Sequence, residues 1–522
     1  MSRISQPWIW IAAAVVAAGL LRLPRLDQRP MHADEAVHAA KLGRLLDQGS
    51  YRYDPQEFHG PTLNLLTWPL AILRGQRHFA DLDETTLRLV PALFGLGLVL
   101  FPLALRRSLG WKATAWAVGL SAASPCMAFY SRYYIQETLL VFFTFGLTVS
   151  VWRYHQGRRA VWALCAGACA GLMYATKETA IIAWGCLALA GLITRWMHRG
   201  RSEAPVRWGD LGLAAAAGIV VWVLFYSSFL TNPAGVVDSV RTLAVYLRRA
   251  GSSNHIHPWT YYLDLLTWVR FWQRPDWNED FIVLMACVGA VMVAARWPIR
   301  TCDPALARFL AAYTAATAVV YSAIPYKTPW CMLGFVQGMT LVSALAVAEL
   351  TDRIRPARLR LLGVTCGLGL GVLVPMVEAA LLNYRYPSAV ANPYVYAHTS
   401  KDALWAVDRV RQIAAACDKG KATPIQVICP GSDYWPLPWY LRDFTQVGYY
   451  QAVDFNTPPA DLILAQAPVE PDLIKWFYEV QPPGARNLYV SFLDKGTRLR
   501  PGVELRGYVR SDLWDAVQDR AR

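Results

Sequence analysis

The chain has 522 residues, 55% hydrophobic and only 17% charged, against roughly 25% charged residues in an ordinary soluble domain. Long charge-free runs alternate with short Arg-rich patches, which excludes a soluble enzyme, a disordered chain and a disulfide-stapled miniprotein. The formal charge of +14 is read as bilayer orientation rather than nucleic-acid binding, because the Arg residues cluster between apolar runs.

In chain order, eleven apolar stretches are expected to cross a membrane, near 8–22, 85–105, 113–130, 138–154, 160–176, 179–196, 209–230, 281–296, 308–324, 331–350 and 361–381. The first has the short apolar core of a signal peptide, but no small-residue cleavage site precedes the polar segment. Twenty-two Trp and 25 Tyr suit many membrane–water interfaces. One set of connections gathers basic residues: Arg106 and Arg107, Arg158 and Arg159, Arg195, Arg199 and Arg201, Arg296 and Arg300, and Arg353, Arg355, Arg358 and Arg360. That side should be cytoplasmic, with the N-terminus. The short connections on the other side carry one basic residue each: Arg132, Lys177 and Lys327.

Beyond about residue 382 the apolar runs shorten to four or five residues, as in Ile425–Cys429, Asp461–Leu464 and Leu488–Phe492. Helix-like stretches lie between them, at Asp402–Ala416 and Pro471–Val480. The expected architecture is an α-helical polytopic protein of the cell (inner) membrane, with a C-terminal extracytoplasmic α/β domain. Residues 1–381 form the membrane domain, with outer loops 23–84 and 231–280, and residues 382–522 the outer domain. Cys165, Cys169, Cys186, Cys287 and Cys366 read as packing residues. Cys417 and Cys429 fall in the outer domain, and the sequence leaves a bridge between them open.

The first outer loop opens with Met31-His32-Ala33-Asp34-Glu35-Ala36-Val37-His38. Such a carboxylate can remove a proton from an attacking hydroxyl, or ligate a divalent cation with His32 beside it. It also suits the first turn of a helix. The same loop holds Phe58-His59-Gly60-Pro61, a turn signal, and then Thr62–Leu73, an apolar stretch too short to span and expected to be interfacial or re-entrant. His59 is read either as a catalytic group or as a turn cap. Three outer turns each hold one cation: Ser131-Arg132-Tyr133 through Glu137, Thr176-Lys177-Glu178-Thr179, and Pro325-Tyr326-Lys327-Thr328-Pro329-Trp330. Cations on the outer side oppose the positive-inside bias. A shared anion such as a phosphate at headgroup level would account for them; so would snorkelling to lipid headgroups or pairing with Glu137 and Glu178.

Together these motifs resemble the GT-C superfamily of integral-membrane glycosyltransferases. The likeness is to the branch holding the protein O-mannosyltransferases and the lipid A aminoarabinose transferases, and within it to the prokaryotic flippase-activity-associated membrane proteins. It covers roughly residues 1–380. Asp34-Glu35 matches the acidic motif of the first outer loop. Phe58-His59-Gly60-Pro61 is similar to a His-Pro-Pro segment, with Gly60 in place of the first Pro. Ser131-Arg132 with Glu137 resembles the second-loop motif, where the family usually has Asp at the position of Glu137. Lys177 and the Lys327-Thr328-Pro329-Trp330 turn resemble later loop motifs.

The resemblance implies a sugar donor on a polyprenyl phosphate and inversion at the anomeric carbon. Asp34 would be the general base and Glu35 its neighbour in the catalytic pair. Arg132, Lys177 and Lys327 would bind the donor phosphate, with His32, His59, Glu137 and Glu178 in support. No cofactor is required throughout the family, although some members use a divalent cation. The acceptor is a protein, lipid or glycan hydroxyl. A flippase, or flippase accessory, for lipid-linked sugars is the competing reading; against it, no inverted repeat is visible and the charged residues group on one face. In the outer domain, Asp433-Tyr434-Trp435-Pro436 and Tyr440-Leu441-Arg442-Asp443 are aromatic and charged. They fit either a glycan contact or a packed domain edge.

Overall fold

The computed structural model describes residues 6–56, 59–198, 206–249, 255–267, 277–482, 484 and 486–521. Phe58, Arg199 and Arg201 of the motifs above lie outside the described residues. In chain order the first helices are α1 (Gln6–Arg22), α2 (Ala33–Gln48), α3 (Thr62–Leu73), α4 (Glu84–Ala104), α5 (Arg106–Ala123), α6 (Pro125–Tyr130) and α7 (Glu137–Gly157). Next come α8 (Ala160–Thr176), α9 (Ala180–Met197), α10 (Trp208–Tyr226), α11 (Ala234–Arg249), α12 (Tyr261–Leu266), α13 (Asp280–Ala294), α14 (Pro304–Ala323) and α15 (Leu333–Arg353). A last long helical run holds α16 (Ala357–Leu368) and α17 (Val374–Ala380), each followed by a π-turn.

All eleven expected stretches are helical, but only some have the dimensions of a span. Among the described residues, six helices are long and apolar enough to cross a membrane: Glu84–Ala104, Ala180–Met197, Trp208–Tyr226, Pro304–Ala323, Pro329–Arg353 and Ala357–Arg385. Trp8–Arg22, Thr62–Leu73, Ala160–Thr176 and Asp280–Ala294 are apolar but shorter. The stretch expected at 113–130 is interrupted. Ser124 ends α5 and its side chain accepts from Met127 N–H, with Pro125 at the first position of α6. The chain is a multi-pass membrane protein, and its outward-facing apolar side chains agree with that: Leu211, Ile219 and Val220 of α10 and Leu361 and Leu362 of α16 are exposed.

The chain divides into two compact units. The membrane unit comprises residues 1–26, 48–74 and 83–396. Its helices pack through small residues where lipid supplies no hydrophobic drive between them. A Cβ on Gly167 of α8 would lie 1.9 Å from the Ala214 carbonyl oxygen of α10, so the two backbones touch at that point. The second unit, called outer after the side expected from the sequence, comprises residues 27–47, 75–82 and 397–522. Two pieces of the first outer loop, α2 among them, thus belong with the C-terminal domain rather than with the helices that flank them in sequence.

The outer unit adds α18 (Lys401–Ala416), α19 (Leu437–Tyr440), α20 (Glu470–Lys475) and α21 (Ser511–Ala521). Its strands are β1 (Ile425–Ile428), β2 (Val447–Tyr450), β3 (Leu462–Gln466), β4 (Tyr489–Ser491), β5 (Arg498–Arg500) and β6 (Val503–Arg510). They are ordered β2-β1-β3-β6-β4, with β5 pairing β6. Strands β1, β2 and β3 are parallel, and β6 runs antiparallel to β3 and β4. Strands β1 and β3 are buried along nearly their whole length, so they read as short apolar runs. Ile428 and Ile463 pack with Leu473, Trp476 and Phe477. Cys417 and Cys429 are separate buried thiols, not a bridge. Cys417 donates to the Ile413 carbonyl at 3.1 Å.

Candidate functional site

The two acids of the first loop do different work. His32 precedes α2 and its carbonyl takes the first helical bond, from Ala36 N–H at 3.0 Å. The His32 Nδ1 accepts from Asp34 N–H at 3.1 Å, and Glu35 reaches back to accept from His32 N–H at 3.0 Å. This is a capping box with His in the place usually held by Ser or Thr. The other Glu35 oxygen accepts from Arg29 Nη2 at 3.1 Å. Glu35 is fully buried with both oxygens engaged, whereas the Asp34 side chain is 50% exposed. Asp34 is therefore the carboxylate of the pair presented to solvent, in the first turn of α2 where the helix dipole favours negative charge.

In the membrane unit the His59 and Glu178 motifs are brought together. Glu178 accepts from His59 N–H at 2.9 Å, lies 3.1 Å from His59 Nδ1, and takes the Tyr53 hydroxyl at 3.4 Å. Tyr53 also bonds Thr242 of α11 at 2.8 Å. Burial alone would raise the Glu178 pKa, but the hydrogen bond and charge of His59, with Lys177 nearby, hold it below the ordinary carboxylate value. His59 adopts φ 61°, in the left-handed region. Gly60 follows it and donates to the Thr176 carbonyl at 3.1 Å. A Cβ there would lie 1.9 Å from the Ala175 carbonyl oxygen. Glycine at position 60 therefore has a steric cause: the turn is pressed against the end of α8, where no side chain fits.

The described contacts give each of the three cations its own acceptors. Lys177, at the C-terminus of α8, pairs with Glu137 at the N-terminus of α7, both buried. Arg132 donates to the carbonyls of Arg22, Pro24 and Arg25 at 2.8–3.0 Å, closing the open end of α1, and lies over the Tyr384 ring. Lys327 donates to the His257 carbonyl at 3.1 Å and to that of Ile324; desolvation lowers its pKa. An anion binding at any of them would share or displace an acceptor already present. Glu137, Lys177 and Thr179 line a narrow cavity of about 30 Å³ with Trp330 and Cys331 from the segment after Lys327, room for a water or two. The outer unit has a shallow, open pocket of about 510 Å³ along β2, which Asp34 does not line.

No group of three or more His, Cys, Asp or Glu side chains that could hold a metal occurs among the described residues. Around Asp34 the donor set does not fit a cation, because Glu35 and His32 Nδ1 are already committed to the capping box and Arg29. Sequence reading missed Arg29 and Thr399 and gave Tyr53 and Tyr440 no bonded partner, although each of the four bonds a motif residue. Arg29, six residues before Glu35 and in the same loop, was the one within reach of a local charge pattern.

No protein-family model matches the chain, and no curated protein matches it. Solved structures do. ArnT from Cupriavidus metallidurans bound to undecaprenyl phosphate is similar at TM-score 0.61 and 17% identity, over 97% of this chain and 98% of that one. The oligosaccharyltransferase AglB from Archaeoglobus fulgidus, in complex with an inhibitory peptide and a dolichol-phosphate, is similar at TM-score 0.56 and 12% identity, over 98% of this chain and 74% of that one. The Archaeoglobus fulgidus oligosaccharyltransferase in complex with Zn and sulfate is similar at TM-score 0.58 and 13% identity, over 96% and 73%. These neighbours are GT-C glycosyltransferases, and at such identities the likeness is one of fold.

Proposed function

We propose that the protein is a glycosyltransferase that moves a sugar from a polyprenyl-phosphate donor to an acceptor hydroxyl at the outer membrane–water interface. The observation that carries this reading is the division of labour in the acid pair, on a GT-C fold: Glu35 is locked into the helix cap, and Asp34 is left facing solvent. Asp34 is the general base. The acceptor oxygen attacks the anomeric carbon while the bond from that carbon to the phosphate oxygen breaks, and the acceptor proton passes to Asp34. The sugar is inverted, and the polyprenyl phosphate departs with the bonding pair. A phosphate is already a weak base, so no strong general acid is required.

Arg132, Lys177 and Lys327 supply positive charge to that phosphate. Lys177 does so by sharing its ammonium between Glu137 and the donor. His32 and Glu35 hold Asp34 in place, and His59 with Glu178 fix the turn beside Lys177. No step runs through a metal, since the committed donors around Asp34 leave no cation site there. The acceptor-bearing side is extracytoplasmic, with the basic connections cytoplasmic.

The test is Asp34→Asn in the full chain in lipid nanodiscs, with a panel of polyprenyl-phosphate sugars. Loss of a general base lowers transfer on the order of 10²–10⁴-fold, with donor binding retained. Full activity in Asp34→Asn would remove Asp34 as the base. If the wild-type chain transfers no sugar but moves the lipid-linked sugar across vesicles, the flippase reading replaces this one.

A further inference from the structure

The segment Tyr440-Leu441-Arg442-Asp443, which Trp439 precedes, stood out in the sequence for its aromatic and charged residues. In the outer unit these side chains turn inward. Trp439 is fully buried and meets the Phe79 ring, centroids 6.0 Å apart. Arg442 lies 3.8 Å over the Trp439 ring and donates to the Leu82 carbonyl at 2.7 Å. Phe79 in turn sits against α2 at Gly43, where a Cβ would be 2.4 Å from the ring. At the other end of α2, Met31 N–H donates to the Tyr440 hydroxyl oxygen at 2.7 Å, and Thr399 donates to the Met31 carbonyl at 2.6 Å. Met31 is the residue before the His32 cap.

The helix bearing Asp34 is therefore held directly where the chain enters it, by residues 368 and 409 positions away in sequence, and at Gly43 through Phe79, which rests on Trp439. The grip on Met31 uses its backbone N–H and C=O, so it fixes where the chain enters α2 whatever the side chain there. Removing an acceptor from a buried N–H leaves that group unsatisfied, and the loop would shift to recover a bond. Placement of a reacting group is worth large rate factors, because small displacements break the attack geometry.

We propose that Tyr440 and Thr399 are positioning residues for the Asp34 base, and that holding this helix is a role of the C-terminal domain in the reaction. The inference rests on the glycosyltransferase reading. Its test uses the full chain in lipid nanodiscs and two measurements. In the first, Tyr440→Phe combined with Thr399→Val lowers kcat for sugar transfer about tenfold or more, leaves the KM for the polyprenyl-phosphate donor within about twofold, and Thr399→Ser in place of Thr399→Val restores part of the rate. In the second, amide hydrogen exchange at residues 32–36 quickens in the double variant while β1 and β3 keep their protection. Unchanged kcat overturns the proposal. So does exchange that quickens in β1 and β3 together with the loop, since the pair would then hold the whole domain rather than the base. A wild-type chain inactive with every donor removes the glycosyltransferase reading instead, and the exchange measurement still reports whether Met31 is gripped.

Discussion

The acid-bearing helix of the outer unit and the cation-bearing turns of the membrane unit treat charge in opposite ways. In the outer unit one carboxylate of a pair is tied into the structure, and its neighbour is left half-exposed, 4.0 Å from the His32 ring nitrogen. In the membrane unit hardly a charge near the outer turns is left to itself. Lys177 has Glu137, Glu178 has His59 and Tyr53, and Arg132 has three carbonyls. The physical reason is solvation: a charge open to water is stabilised by water, while a buried one must be paired, hydrogen-bonded or neutralised. Glu279 takes the last route. Its carboxyl accepts from Ser124 and from Cys126 N–H at 2.6 and 2.9 Å, its other oxygen meets no hydrogen-bond partner among the described residues, and burial pushes its pKa up to about 7. An exposed carboxylate such as Asp34 can thus stay ionised at little cost, whereas a buried cation such as Lys177 would have to exchange one partner for another to meet an anion.

The comparison can be broken most sharply at the acid pair. Asp34→Asn should abolish transfer at unchanged thermal stability. Glu35→Gln should do the reverse in emphasis, lowering stability by about 3–5 kcal/mol because the buried charge pair with Arg29 is lost; thermal unfolding and transfer assays on both variants decide it. Next in size is the Lys177–Glu137 pair. Lys177→Met alone strands a buried carboxylate and should cost about 3–5 kcal/mol. Lys177→Met with Glu137→Leu should recover most of that stability and none of the transfer activity, which separates the structural role of the pair from its proposed use on phosphate.

Glu279 gives a prediction in pH. Its folded pKa lies above the unfolded value, so the native state binds more protons between about pH 4.5 and 7. Stability from this group is present below that window and is lost as pH rises through it. The loss is on the order of 3 kcal/mol, and Glu279→Gln should flatten it in unfolding curves taken across the window. The smallest effect is expected at Tyr53→Phe, which removes one of several donors to Glu178 and should cost about 1 kcal/mol.

Much of this was legible along the chain. Apolar runs located the helices, because burial in lipid or in the bundle both demand them. The short runs at Ile425, Asp461 and Leu488 marked strands of the outer sheet. Strand β2 escaped notice because Gly448 and two tyrosines disguise it, and β6 because Arg506 and Gly507 interrupt its alternation. The number of crossings was not legible from hydropathy alone: α8 and α13 are apolar but only 17 and 15 residues long. Site residues were readable as types and not as partners. Nothing local tells that Lys177 reaches back to Glu137, that Tyr440 returns to Met31, or that His32 caps α2 and so separates the duties of Asp34 and Glu35.

The contact between Gly167 and Ala214 has a reach beyond the hydrocarbon layer. Helix α10 leads directly into α11, and α11 supplies Thr242 to the hydroxyl that steadies Glu178. One methyl group added at position 167 would lever α10 off its neighbour and tug that hydroxyl away from the carboxylate. A glycine pressed between two helices thus governs how firmly a distant buried acid is tethered.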